Sequence, residues 1–224
     1  MQHRNLGKKY MTKLHSVYLV GNEVSGYDTM FKKNGWKVYY DYDIARSNSG
    51  PDLVLFTGGA DINPAIYGEK PSGCGDWNTN RDDYEISVFN KYAGSVPIVG
   101  ICRGAQLVNC LNGGSLWQHV DNHTRDHFLY THKGEKIFVT STHHQMMIPH
   151  KTEGIVLAWA QLSTLKLREN VAWGCLDPKV SKDDPDTEVV YYSRHKHLCF
   201  QPHPEYGVKS CEDYFFSLVH KYLV

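Results

Sequence analysis

The residues best suited to chemistry fall in two segments about a hundred positions apart. In the first, Val99-Gly-Ile-Cys-Arg-Gly-Ala-Gln106, Cys102 stands between two glycines. The apolar run before it predicts a buried strand ending at Gly100, and the residues after Gly104 predict a helix. Cys102 then occupies the turn, a G-x-C-x-G elbow that exposes its side chain while the glycines make room for backbone and substrate. A thiol at a helix N-terminus gains from the partial positive charge there, which favours thiolate. The N–H of Arg103 is then free to donate to an oxyanion. Taken alone, the same residues also describe a small buried cysteine at a strand–helix junction.

A thiol nucleophile needs a base, and the second segment, Gln201-Pro-His-Pro-Glu-Tyr206, offers one. His203 follows an apolar strand and sits between two prolines that stiffen its loop. Glu205, two residues on, can accept from the imidazole and fix its tautomer. An isolated His-Pro-Glu reads more simply as a loop; beside the cysteine elbow it reads as base and orienting acid. A third segment, Phe56-Thr-Gly-Gly-Ala-Asp61, also follows a buried run. Its adjacent glycines can turn backbone N–H groups toward a ligand, although a plain turn accounts for them equally.

His119, His123 and His127 recur every four residues, and His195 and His197 form another close pair. Zinc would need three or four convergent ligands. Gly113-Gly114 upstream and the charged Asp121, Arg125 and Asp126 favour a solvated, poorly helical segment, so no metal and no cofactor is assigned. His143, His144, Met146 and Met147 could line a pocket or simply pack.

The elements that must position these groups can be read around them. Strands are expected over 16–20, 36–40, 52–56 and 97–100, and helices over 25–33, 82–93 and 104–111. This alternation argues for a parallel sheet covered on both faces. Shorter strands follow over 136–139, 155–158, 189–192 and 197–200, a polar loop over 183–186, and a closing helix over 210–222. There are no internal repeats.

At 224 residues the chain suits one α/β domain. Residues 1–14 are expected to be a loose leader and 15–224 a single catalytic domain. Lys+Arg and Asp+Glu are both 24, without a basic run, which argues against nucleic acid or an anionic membrane as partner. No stretch approaches the ~20 apolar residues of a membrane span. The six dispersed cysteines and the lack of a signal-peptide pattern point to a cytoplasmic protein with free thiols.

Gly100-Ile-Cys-Arg-Gly-Ala-Gln106 followed by Gln201-Pro-His-Pro-Glu205 resembles the class I glutamine amidotransferase domain. Thr57-Gly-Gly-Ala-Asp-Ile-Asn-Pro-Ala-Ile-Tyr-Gly-Glu69, Arg81-Asp-Asp-Tyr-Glu85, Leu111-Asn-Gly-Gly-Ser-Leu-Trp-Gln118 and Val139-Thr-Ser-Thr-His-His-Gln145 look like its peptidase C26 branch, which includes γ-glutamyl-γ-aminobutyrate hydrolase. The resemblance implies a flavodoxin-like three-layer α/β sandwich with a mostly parallel central sheet. It implies a triad of Cys102, His203 and Glu205, an oxyanion hole from the N–H groups of Gly59 and Arg103, and substrate contacts from Gly58, Gln106, Ser141, Thr142 and His143. The implied reaction is attack of Cys102 on a γ-glutamyl carbonyl and hydrolysis of the thioester. The chain departs from the pattern at Pro202, where an aromatic residue is usual, at Thr140, where Asn is usual, and in a short segment between Gln118 and Val139.

Two functions fit: a free-standing hydrolase of glutamine or a small γ-glutamyl amine or peptide, and a glutaminase subunit feeding ammonia to a separate synthetase. An α/β-hydrolase would place its acid before the histidine. A binding module that has lost catalysis would not need the whole triad. Oligomeric state is not legible.

Overall fold

The computed structural model describes residues 14–21, 25–44, 50–169 and 185–224. The expected leader up to residue 13, Cys175 and the first part of the expected 183–186 loop lie outside these.

The chain opens with β1 (Ser16–Val20), α1 (Ser25–Lys33), β2 (Lys37–Tyr39), α2 (Asp41–Ile44) and β3 (Leu53–Phe56). Then follow α3 (Thr79–Tyr92), β4 (Ile98–Ile101) and α4 (Arg103–Leu111). A run of short strands comes next: β5 (Ser115–Trp117), β6 (His119–Val120), β7 (His127–Thr131), β8 (Lys136–Val139) and β9 (Met146–Ile148). β10 (Gly154–Ala160), β11 (Lys166–Leu167), β12 (Asp186–Tyr192), β13 (His197–Phe200) and α5 (Lys209–Tyr222) complete it.

Nine strands form one sheet in the order β2-β1-β3-β4-β13-β12-β10-β7-β8. The first five run parallel, and the remaining four add on antiparallel. Strand periodicity sorts the core. Val17, Leu19, Leu53, Leu55, Val99 and Ile101 face α1 and α5, packing on Phe31 and Phe215. The intervening Tyr18, Val20, Val54, Phe56 and Ile98 face α3 and α4, packing on Phe89 and Val108. The result is the expected three-layer α/β sandwich, with its parallel order confined to five of the nine strands.

The expected elements recur with bounds shifted by a few residues, and five strands appear that the pattern did not announce. β5, β6, β9 and β11 have only two or three residues each. β7 inverts the usual polarity: His127, Leu129 and Thr131 are buried while Phe128 and Tyr130 point out. The expected polar loop is corrected at Asp186, which begins β12 and is buried. The solvated reading of 119–127 is corrected too, since His123 and His127 are both buried.

Candidate active site

Because β3, β4 and β13 are parallel neighbours, their carboxyl ends emerge side by side, where open α/β sheets bind ligands. Cys102 is the first residue beyond β4, and its N–H donates to Phe200 O at 3.0 Å. Its backbone lies at φ 52°, ψ −113°, a region that costs a non-glycine residue strain. Both flanking glycines are required by space. A Cβ on Gly100 would fall 2.2 Å from Gly104 O, and one on Gly104 would fall 2.1 Å from Phe56 O. The elbow is thus packed backbone against backbone. At the first position of α4, the Arg103 N–H has no partner within the helix.

His203 stands at the end of β13. Its N–H donates to Thr140 O at 3.0 Å, and the Thr140 hydroxyl donates back to His203 O. Thr140 therefore clamps the histidine backbone. The side-chain Nδ1 lies 2.6 Å from Glu205 Oε1, and Nε2 lies 3.0 Å from Thr142 Oγ1. The Tyr206 ring stacks on the imidazole, centroids 4.6 Å apart and planes 5° from parallel. Burial disfavours an imidazolium, but the Cys102 sulfur and the Glu205 carboxylate outweigh it and push His203 up to about 11. Nδ1–H donating to Glu205 leaves Nε2 for the thiol side.

Gly58 fits into the narrow space between these groups. A Cβ on it would sit 2.9 Å from Tyr27 Oη, 3.2 Å from His203 Cε1 and 3.5 Å from Cys102 Cβ. Its own N–H donates to Tyr27 Oη at 3.0 Å. Gly59, at φ 146°, lies against Arg81, whose Nη1 would be 2.2 Å from any Cβ there. Arg81 Nη2 donates to Gly58 O at 2.9 Å and its Nε to Glu85 Oε1 at 2.7 Å. Glu85 and Asp82, three positions apart on one face of α3, together grip the guanidinium of Arg103. This buried chain of ion pairs ties the glycine loop to the start of α4, fixing the two expected oxyanion donors relative to each other.

The side chains meet in a cleft of about 350 Å³ lined by Gly58, Gly59, Cys102, His203 and Glu205, among others. Gln106, Thr142 and His143 also line it. Gln106 is tethered, its Nε2 3.3 Å from Gln145 O and from Gln201 Oε1, and Thr142, though exposed, keeps its hydroxyl within reach of His203 Nε2. Ser141 is the exception among the expected contacts. It is buried away from the cleft, its hydroxyl bonded to His123 O and its N–H 3.1 Å from Asp126 Oδ1. His144 and Asp61 close the far wall, paired at 3.2 Å.

Sequence reasoning named no role for Tyr27, Asp82, Glu85 or Tyr206. The i, i+1, i+4 spacing of Arg81, Asp82 and Glu85 carried a signal, being a charge cluster that one helix turn gathers. Tyr27 carried none; its hydroxyl reaches the Gly58 N–H and lies beside Glu205 only through packing of α1. The other described cysteines, Cys74, Cys110, Cys199 and Cys211, are free thiols that burial holds in the neutral form.

Comparison with known proteins finds matches in sequence and in fold. The Peptidase C26 family model matches residues 43–152, a span that contains the elbow. A glutamine amidotransferase-like protein, YvdE, of Lactococcus lactis is 41% identical over 69 residues, 30% of this chain and 29% of that relative. A protein named as a glutamine amidotransferase in Mycobacterium tuberculosis is 38% identical over 69 residues, 30% of this chain and 22% of its own. The matched region thus spans well under half the length of these curated relatives. The fold recurs in a GMP synthase component from Thermoplasma acidophilum, with TM-score 0.62, 16% identity, and 93% of this chain and 94% of that one covered. It recurs in PurLQS from Thermotoga maritima, with TM-score 0.58, 15% identity, and 94% and 99% covered. The chain thus carries a peptidase C26 region over residues 43–152, is similar in sequence there to glutamine amidotransferase-like proteins, and has the fold of the class I glutamine amidotransferase-like structures.

Proposed function

We propose that the chain hydrolyses a γ-glutamyl amide, either glutamine or a small γ-glutamyl amine or peptide. The observation that carries this reading is the strained Cys102 elbow beside a buried imidazole held at 2.6 Å by Glu205. Cys102 attacks the γ-carbonyl, and the N–H groups of Gly59 and Arg103 receive the oxyanion. His203 then protonates the leaving amine and activates the water that cleaves the thioester. Such general acid–base work contributes ~10²–10⁴-fold. The cleft is near the small end of ligand pockets, which run from ~300 Å³ upward, and suits a substrate of amino-acid size. Its lining from Gly58 to Gln145, Cys102 included, falls in the span that matches the peptidase C26 model, with His203 and Glu205 joining from beyond it, and the similar curated proteins are named glutamine amidotransferases.

The test is intact mass spectrometry after incubation with diazo-oxo-norleucine, a glutamine-shaped electrophile. Wild type gains one adduct and Cys102→Ala none, and the same wild type releases glutamate from a panel of γ-glutamyl amides. A folded wild type that takes up no label and releases no glutamate rules the reading out.

A second reading, a glutaminase subunit for a separate synthetase, draws on the fold neighbour described as part of a GMP synthase. It requires glutaminase activity that is weak alone and rises with a partner; strong hydrolysis by the isolated chain argues against it.

A further inference from the structure

Behind the cleft, on the antiparallel side of the sheet, three histidines converge on one buried carboxylate. His123 comes from the β6–β7 loop, His127 from β7, His143 from the β8–β9 loop and Glu188 from β12. His123 and Glu188 are wholly inaccessible and His143 is 3% exposed. Each imidazole already spends one nitrogen on an outer acceptor. His123 Nε2 is 3.1 Å from Asp186 Oδ2, His127 Nδ1 is 3.0 Å from Arg125 O, and His143 Nδ1 is 2.9 Å from Gln145 O.

The inward atoms behave differently. His127 Nε2 makes a hydrogen bond to Glu188 Oε1 at 3.1 Å. His123 Nδ1, His143 Nε2 and Glu188 Oε2 make none, although all three are buried. His123 Nδ1 is 3.1 Å from Glu188 Oε1, but not along a hydrogen-bonding line. His143 Nε2 is 3.5 Å from Glu188 Oε2. One ligand atom from each of the three residues lies within 4.8 Å of the others. With its outer nitrogen donating to a carbonyl, neutral His143 turns a bare lone pair toward a carboxylate. Two acceptors facing each other in a dry interior repel unless something positive lies between them.

We propose that His123 Nδ1, His143 Nε2 and the Glu188 carboxylate bind a divalent transition-metal ion of the zinc type. Nitrogen and oxygen donors about 2.0–2.1 Å from a tetrahedral ion stand about 3.3–3.4 Å apart; His123 Nδ1 lies 3.1 Å from Glu188 Oε1 and His143 Nε2 lies 3.5 Å from Glu188 Oε2, each near that separation from one carboxylate oxygen. The outer bonds to Asp186 and Gln145 O are those that metal-bound histidines make to fix tautomer and ring orientation. Two imidazoles and one carboxylate suit zinc and its neighbours rather than magnesium or calcium. Asp186 is itself anchored by Lys166 at 2.8 Å and by the N–H groups of Leu162 and Ser163. The ion would join three segments of the antiparallel half, the β6–β7 loop, the β8–β9 loop and β12, and hold the 140–145 loop, whose Thr140 and Thr142 grip His203. The sequence drew attention to His119, His123 and His127 as a helical stripe; the structure instead pairs His123 with residues 20 and 65 positions further along.

The test uses the full chain, stripped with a strong chelator and titrated with Zn²⁺ against a chromophoric competitor. Wild type is expected to take up roughly one equivalent, and Co²⁺ in its place to give the visible bands of a four-coordinate nitrogen–oxygen site. Glu188→Gln, nearly isosteric, and His143→Ala should each weaken binding at least about tenfold. His119→Ala, outside the cluster, should bind as wild type. Long-range imidazole ¹H–¹⁵N spectra of wild type alone should show His123 Nδ1 and His143 Nε2 shifting on Zn²⁺ addition, a readout independent of whether any variant folds. Uptake below about a tenth of an equivalent, or imidazole spectra unmoved by Zn²⁺, overturns the proposal, and so does wild-type affinity in a folded Glu188→Gln.

Discussion

Cys102 adopts a conformation that its own side chain opposes. A φ of 52° is readily available to glycine but costs a β-carbon residue about 1–3 kcal/mol. Cys102→Gly should therefore raise unfolding free energy over Cys102→Ala by about 1 kcal/mol, part of the relieved strain being returned as chain entropy. Urea melts of the two variants check this, and a Gly variant less stable than Ala would mean the turn carries no strain. His203 makes a second prediction, about pH. Its folded-state value is raised to about 11 from an ordinary ~6.5. Between those limits the native state binds the extra proton, so the contribution is full below about 6.5 and fades as pH climbs toward about 11. The stability difference between wild type and His203→Gln should shrink across that window in chemical melts at successive pH values. A difference that stays constant or grows would show that His203 is not charged in the native protein.

The elbow depends on elements that are far apart in sequence, and the ion pairs of α3 are its main support. Arg103→Met would leave Asp82 and Glu85 as buried carboxylates lacking their shared partner, since both are almost wholly inaccessible. The expected loss is about 3–5 kcal/mol. Arg103→Lys should recover only part of it, because an ammonium cannot reproduce the two-pronged grip. Denaturant melts decide it; a loss in Arg103→Met below about 1 kcal/mol would show that the pairs do not stabilise the fold. The same elements show what could be read in advance. β3 and α4 were legible because apolar runs end in glycine pairs, and Cys102, His203 and Glu205 because they follow the apolar runs of β4 and β13 in turns flanked by glycine or proline. β7 was not, because it buries His127 and exposes Phe128 and Tyr130, against the expected polarity. The resemblance implies a cleft contact from Ser141, but one residue along an extended segment points the other way, and Ser141 is buried on His123 O. Thr142 faces His203 for the same reason.

Across the whole molecule, the sheet is two unequal halves that meet at β13. β1, β3, β4 and β13 are buried along their full length, and α1, α3, α4 and α5 cover their two faces. β8, at the far edge, is buried only at Val139. β7 before it alternates, and Phe128, Tyr130 and Phe138 are exposed on this flank. Amide exchange is governed by local opening, whose free energy rises with burial and with hydrogen bonding on both sides. Exchange should therefore be slowest in β3, β4, β13 and α4, faster in β7 and β8, and faster again in the two-stranded pairs β5–β9 and β6–β11. Hydrogen exchange read by mass spectrometry in low denaturant would resolve this order. Protection equal across all these strands would mean that the sheet opens only as a unit. The order matters for the site because Cys102 and His203 rest on the stable half, whereas Thr140 and Thr142 rest on the flank. Opening of that flank would free both His203 contacts while the elbow stayed folded, so Cys102 should keep its place at temperatures where the imidazole has already lost its alignment. Labelling of Cys102 by a simple alkylating agent should then persist a few degrees beyond the point where labelling by a glutamine-shaped electrophile fails.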